Sequence, residues 1–401
     1  MELSPQSAAV VRATAGVVAE HAEQITKTFY PDMFAAHPEL MRVFNKANQA
    51  IGEQPKALAA SVVAYAVNLI DPDAPDFTPV MERIAHKHVS LGIQAQEYTI
   101  VGHHLLKAVG TVLGDAVTPE VATAWDEVYW LFGTALIAEE AKLYALGGVD
   151  PAHPWRRYTV VDRVEETDEV FSLLLRPVEG DLPPHRTGQY VALGVDLPGG
   201  ERQPRQYTIS SALDAEAFRV TIRRVSGVDG HPDGQVSTYL YEHAQPGTEI
   251  DVSLPSGDVV LDDSDAPLVL VSAGIGITPM AAVLADVAQR QPLRPVTLLH
   301  ADRSGSSHAL YAGMGETAAT MEAVTSTLWY EDVTGAEDRG ARTGFMDLSD
   351  VAVPVDAKVF MCGPMPFMRD VRRTLIGKGV HPEAIRYEVF GPDLWAQQPQ
   401  G

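Results

Sequence analysis

The chain is poor in cysteine: Cys362 is the single one among 401 residues. No intramolecular disulfide is therefore available, which suits a reducing compartment, and a cytoplasmic protein is expected. Basic residues are scarce too, 30 against 53 acidic, giving a formal charge of −23. Such a surface repels phosphate backbones and anionic lipid, which argues against nucleic-acid binding and stable membrane association. The start, MELSPQSAAVV, has no basic segment leading into an apolar core, so no secretory leader is expected. The most apolar stretch, Pro267 to Ala285, is interrupted by two glycines and a proline. It reads as a buried strand, a glycine turn and a helix, and not as a membrane span. Repeats and low-complexity tracts are missing.

What is present falls into three textures. Residues 1–148 carry apolar stripes at helical spacing, as in QPKALAASVVAYAVNLI and WDEVYWLFGTALIAEEAKLY. Ser4 is placed to cap the first helix, with Pro5 in its first turn. The glycines and prolines of LGGVDPAHP close this all-helical domain. Residues 149–263 change to a period of two, with YVALGVDL, RQYTIS and FRVTIRRV separated by turn residues, which predicts a small antiparallel β-barrel. Residues 264–401 alternate apolar strands with glycine turns and helices, the pattern of an α/β domain with an open parallel sheet.

In the helical part, MERIAHKHVSLG holds two histidines, His86 and His88. On a helix they point roughly 200° apart, so at most one faces inward. Met81, Ile84, His88 and Leu91 form one stripe, while Arg83, His86, Lys87 and Ser90 form the opposite, solvated side. His88 therefore faces in. On the stripe alone it reads as a satisfied core histidine, the commoner case, or as the proximal ligand of a haem iron.

The pieces FYPDMF, FNKANQAIGEQPKAL, IAHKHVSLGI and EYTIVGHHLL resemble a globin, and in particular the globin of flavohaemoglobins, the nitric oxide dioxygenases. The resemblance runs in order through the whole chain. It implies that His88 ligates haem b, and that Tyr98 and Glu140 act on the imidazole's second nitrogen to enrich it. From residue type alone, Glu139 and Glu140 read equally as surface charges. The resemblance further implies that the Tyr30 hydroxyl donates to bound O2, with Gln54 and Leu58 beside it. Pro31 should bend the helix after Tyr30, and Pro55 makes Gln54 a helix-start residue.

The later parts resemble the ferredoxin-reductase-like flavoproteins. PRQYTISS supplies Arg205, Gln206, Tyr207 and Thr208: a planar fork for the FAD pyrophosphate, a flat face for the flavin ring and a hydroxyl near its N5. Tyr190 in TGQYVAL corresponds to an adenine-side or ring-edge contact. Gly234, Val236 and Ser237 in DGQVSTYL correspond to backbone donors for the phosphates. VLVSAGIGITPM carries Gly274, Ile275, Gly276, Ile277, Thr278 and Pro279, a strand and glycine turn suited to a pyrophosphate but lacking the third glycine of the Rossmann fingerprint. Cys362, Gly363 and Pro364 in VFMCGPMPFM would cover the nicotinamide. The tail RYEVFGPD brings Val389, Phe390, Gly391 and Pro392 to the flavin, with Phe390 stacked on the ring. Glu388 is implied between flavin and haem, and Lys87 is its counterpart beside His88.

The implied activity is an oxidoreductase that passes hydride from NADH or NADPH to FAD, and electrons singly to haem, converting nitric oxide and O2 to nitrate. A monomer acting on these small molecules is expected. A globin-gated flavin reductase serving another acceptor is the alternative, and simple O2 storage leaves the reductase part without a use. At the nucleotide end, Asp302 disfavours a 2′-phosphate and Arg303 favours one. His103, His104, His231, His300, His308 and His381 lack ligand spacing.

Overall fold

A computed structural model describes residues 2–44, 53–227, 233–334 and 338–391, and the side chains of residues 53–57 lie outside that description. As far as it is described, the chain divides into two compact units. One comprises residues up to Trp155 with Gly200–Pro204 and Gly391; the other comprises Arg156–Gly199 and Arg205–Phe390.

The first unit is helical: α1 (Pro5–Glu20), α2 (Ala22–Ala36), α3 (Glu53–Ile70), α4 (Thr78–Leu91), α5 (Glu97–Leu113) and α6 (Pro119–Leu146). Local chemistry sets the ends. Ser4 accepts from the Ser7 N–H and Pro5 occupies the first turn of α1, as that sequence predicts. Thr118 caps α6 in the same way. Gly92, at φ 72°, closes α4 in the left-handed conformation that a side chain disfavours, with Ile93 N–H returning to the His88 carbonyl at 3.1 Å. α2 continues through Pro31 to Ala36. Val11, Phe29, Met33, Ala66, Val128 and Leu136 are fully buried where α1, α2, α3 and α6 meet. Each larger one contributes about 1.5–3 kcal/mol of burial.

The second unit holds two sheets, save Trp155 and Arg202–Pro204 at the starts of two strands, which fall in the first. The antiparallel one contains β1 (Trp155–Glu165), β2 (Val170–Pro177), β3 (Tyr190–Asp196), β4 (Arg202–Thr208), β5 (Phe218–Arg223) and β6 (Glu249–Ser253) in the order β4-β3-β6-β1-β2-β5. Ile209, just past β4, bridges Val220 of β5, and Ser210 N–H reaches the Arg219 carbonyl at 2.7 Å. The edge strands are thus brought together as in a barrel, by one bridge and without a continuous ladder. α7 (Gln235–His243) precedes β6.

The parallel sheet contains β7 (Leu268–Ala273), β8 (Val296–Asp302), β9 (Val324–Tyr330), β10 (Arg342–Thr343), β11 (Lys358–Cys362) and β12 (Ile385–Glu388), ordered β10-β9-β8-β7-β11-β12. α8 (Ile277–Arg290), α9 (Tyr311–Ala319) and α10 (Met365–Gly377) connect its strands. From β7 the chain builds outward on one side to β10, then returns to β11 on the other. That reversal makes a switch point at the carboxyl ends of β7 and β11, where open parallel sheets bind ligands. No helix among the described residues is long and apolar enough to cross a membrane.

Candidate active site

In the helical unit, α4, α5 and α6 converge on His88. Its Nδ1 lies 2.8 Å from Glu140 Oε1 and 2.8 Å from the Tyr98 hydroxyl. Tyr98 donates to the same carboxylate oxygen at 2.5 Å. Glu140 is 4 % exposed, whereas Glu139 is only partly buried and pairs with Lys142. A carboxylate this deep is tolerated because two donors meet it. Burial first, and then the Glu140 charge, push the Tyr98 hydroxyl far above its ordinary pKa, so it stays protonated and donates. With Nδ1 engaged by this pair, Nε2 is the nitrogen left for a ligand, and the His88 side chain keeps 26 % of its surface exposed.

The stripe reading of α4 needs one revision. Met81 and Ile84 pack partly buried against the core, but the fully buried positions are Ala85, Val89 and Ser90. Ser90, expected in water, donates to the Lys87 carbonyl at 2.7 Å instead. The reason is the tight α4–α6 packing, in which the Tyr144 hydroxyl reaches the Val89 carbonyl at 3.3 Å and covers that flank.

Tyr30 is buried, its ring 4.6 Å from Phe29 and 5.7 Å from both Phe34 and Phe44. It is a core tyrosine in an aromatic cluster, not one whose ring reaches the surface. Leu58 packs partly buried on the same core. α3 begins at Glu53, which puts Gln54 in its first turn, as Pro55 requires; the Gln54 side chain lies outside the described residues. Lys87 is half-buried and its Nζ donates to the Gly391 carbonyl at 2.7 Å. Pro392 lies outside the described residues.

In the antiparallel sheet, β4 carries Arg205, Gln206 and Tyr207 half-buried and Thr208 buried. Burial pushes the Tyr207 hydroxyl up, so the ring presents a neutral face. Tyr190 starts β3 and exchanges two backbone hydrogen bonds with Ser256, each 2.8 Å. Gly234 caps α7, and Val236 and Ser237 fill its first turn, whose N–H groups have no partners within the helix. The Ser237 hydroxyl accepts from Val225 N–H at 3.1 Å and donates to the Gly234 carbonyl at 3.1 Å, which fixes that turn.

At the switch point, Gly274 to Gly276 form a short 3-10 turn and Ile277, Thr278 and Pro279 open α8. A Cβ on Gly276 would lie 2.3 Å from the Cys362 carbonyl oxygen, so glycine is needed for the loops after β7 and β11 to touch. Cys362, Gly363 and Pro364 lead into α10. Cys362 is fully buried, and burial first, then the Glu388 charge, hold its thiol well above the usual value, leaving it protonated. Strand register places Glu388, Cys362, Ser272 and His300 in one row across β12, β11, β7 and β8. Glu388 also lines an apolar cavity with Gly188, Val259, Pro279, Met280 and Phe360. Val389 and Phe390 follow, and Phe390 is 53 % exposed.

Sequence spacing passed over two histidine sites. His104 is buried, with Nδ1 2.6 Å from Asp32, which also pairs with Lys107. His300 and His308 are both buried with ring centroids 4.0 Å apart; their Nδ1 atoms meet Ser272 at 2.8 Å and Tyr330 at 2.7 Å. Burial holds the His308 pKa down to about 2. His103 is exposed, His381 caps an exposed turn, and His231 lies outside the described residues. Among the described residues no group of three or more His, Cys, Asp or Glu forms a metal site.

Sequence and fold are similar to those of known proteins. Residues 27–136 match the globin family model and residues 270–373 match the oxidoreductase NAD-binding domain. A flavohemoprotein of Bordetella parapertussis is 40 % identical over 97 % of this chain and 98 % of its own. The crystal structure of a Malassezia yamatoensis flavohemoglobin with bound FAD and heme superposes with a TM-score of 0.87 at 32 % identity, covering 98 % of this chain and 100 % of that one. The FAD/NAD-binding domain of a nitric oxide dioxygenase from Vibrio cholerae matches 59 % of this chain and 99 % of its own, at 32 % identity and a TM-score of 0.55.

Proposed function

The chain belongs to the flavohemoprotein family, and on that premise we propose that it is an NAD(P)H-driven nitric oxide dioxygenase using haem b and FAD. The observation that carries the reading is the buried Glu140–Tyr98–His88 network, which commits one imidazole nitrogen and leaves the other for iron. The residues present suit the groups the family name implies. His88 is an imidazole about a quarter exposed beside an apolar helical core, and Phe390 is an exposed flat ring at the end of the parallel sheet. When bound, haem supplies the iron at which O2 and nitric oxide react, and FAD splits a hydride into single electrons.

The chain's own residues would do the rest. Glu140 would hold the proton at His88 Nδ1 and so make the imidazole a stronger donor to a bound metal. Tyr98, kept protonated, fixes the carboxylate's orientation. Tyr30 would supply a hydroxyl donor to O2 held at the haem, with Leu58 and Gln54 excluding or ordering water there. Arg205, Gln206, Tyr207, Thr208 and Tyr190 would hold the flavin, and the first turn of α7 its phosphates. The Gly274–Gly276 turn with Ile277, Thr278 and Pro279 would take the dinucleotide pyrophosphate, and the Cys362-Gly363-Pro364 turn would cover the nicotinamide. Phe390, with Val389, Gly391 and Pro392, would close over the flavin, and Glu388 and Lys87 would tune the charge between flavin and haem. We assign residues 1–148, 149–263 and 264–401 to the haem, FAD and nucleotide domains of a cytoplasmic monomer free of the membrane; a lone buried cysteine supports that compartment.

The test is stoichiometry. Protein loaded with haem and FAD, given NADH, air and nitric oxide, should consume nitric oxide and return an equal amount of nitrate. NADH oxidation that proceeds while nitric oxide is left unconsumed would favour a reductase serving another acceptor.

A further inference from the structure

We infer that Glu169 sets this chain's preference between the two pyridine nucleotides by masking Arg303; the inference rests on the NAD(P)H-oxidising reading above. In an open parallel sheet the adenosine end of a dinucleotide meets the end of the second strand, where an acid reads the ribose hydroxyls or an arginine takes the 2′-phosphate. Here that strand is β8, ending in Asp302, with Arg303 next.

By residue type Asp302 is the reader, but its side chain is only 6 % exposed. One carboxylate oxygen accepts from the Ser307 hydroxyl at 2.6 Å and the Arg303 N–H at 2.7 Å. The other lies 3.4 Å from His300 Nε2. Asp302 is thereby spent on holding the turn Gly305–Ser307 and faces away from solvent.

Arg303 is the outward-facing charge, 60 % exposed, and its Nη2 lies 2.6 Å from the Glu169 carboxylate. Glu169 comes from the turn between β1 and β2, 134 residues earlier in the chain. Its own position is fixed by backbone contacts: its N–H donates to Thr167 Oγ1 at 3.3 Å, and its carbonyl accepts from Arg224 N–H at 2.8 Å. Glu331 adds further negative potential on Arg303. A 2′-phosphate therefore meets an arginine already engaged and two carboxylates that repel it. An exposed ion pair of this kind is weak in stability terms. Removing it should shift selectivity without disturbing the fold.

The probe pair is 5′-AMP and 2′,5′-ADP, which differ only in the 2′-phosphate, titrated calorimetrically into the full chain loaded with haem and FAD. Glu169→Gln should tighten 2′,5′-ADP by about tenfold and leave 5′-AMP within about twofold, the scale of one charge-assisted arginine–phosphate contact at a wet surface. The NADPH-to-NADH ratio of kcat/KM should rise in parallel. Adding Arg303→Ala to Glu169→Gln should abolish the gain. An unchanged 2′,5′-ADP affinity in Glu169→Gln, or the same selective gain from Asp302→Asn, overturns the inference. Failure of both fragments to bind any variant, the unmodified chain included, overturns the nucleotide-binding reading itself.

Discussion

The two units each bury a histidine network, built to opposite ends. Around His88 a carboxylate lies 2.8 Å from Nδ1, a protonated tyrosine braces it, and about a quarter of the imidazole surface remains open. In the parallel sheet, the buried rings of His300 and His308 lie 4.0 Å apart, tilted by 33°, with each Nδ1 on a hydroxyl and His300 Nε2 3.4 Å from the Asp302 carboxylate. The first sets a carboxylate against Nδ1 and leaves part of the imidazole open; in the second, burial holds the His308 ring neutral. Burial alone does not separate a ligand from a packing residue. A carboxylate near a ring nitrogen does not separate them either, since both networks have one; the exposure of the ring does.

Three changes probe this contrast. The largest effect is expected from Glu140→Leu, which removes the shared charged acceptor and leaves the Tyr98 hydroxyl and His88 Nδ1 only each other, 2.8 Å apart. Unfolding of the helical unit in denaturant should lose about 1.5–3 kcal/mol, the scale of a hydrogen bond to a charged group. A loss under about 0.5 kcal/mol would mean the network is slack. Ser272→Ala should cost less, about 1–2 kcal/mol for one unpartnered ring nitrogen, read as the stability of the second unit with the helical unit unchanged.

The smallest effect is one of pH. The folded pKa of His308 is held down to about 2, below the ordinary 6.5, so the unfolded chain binds the extra proton. Stability from this site is complete above about pH 6.5 and declines as pH falls toward the folded pKa. His308→Gln, which keeps a polar partner for Tyr330, should flatten the slope of unfolding free energy between pH 6 and 4 by about one proton. An unchanged slope would show that His308 is protonated in the folded protein.

Much of the helical site was legible in the sequence because helical phase carries it. The MERIAHKH stripe turns His88 inward, and Trp125, Val128, Phe132, Leu136, Glu140 and Tyr144 recur at steps of three and four, all buried in α6. That phase distinguishes Glu140 from its neighbour Glu139, a signal that reading each residue by type overlooks. The glycine turn after β7 was legible as a turn, but the reason for Gly276 was not: its constraint is the carbonyl of Cys362, 86 positions later. The His300–His308 stack and the Glu169–Arg303 pair were illegible for a related cause. Each needs strand register or a long-range approach that local periodicity does not encode.

The central claim is that His88 is the residue through which this chain holds iron. Its most direct test is the absorption spectrum of purified protein, reduced with dithionite and exposed to carbon monoxide, compared with His88→Ala. The unmodified chain should show the bands of an imidazole-ligated haem and the variant should lose them, while flavin absorbance persists in both. A variant that keeps its colour and ligation intact would contradict the account.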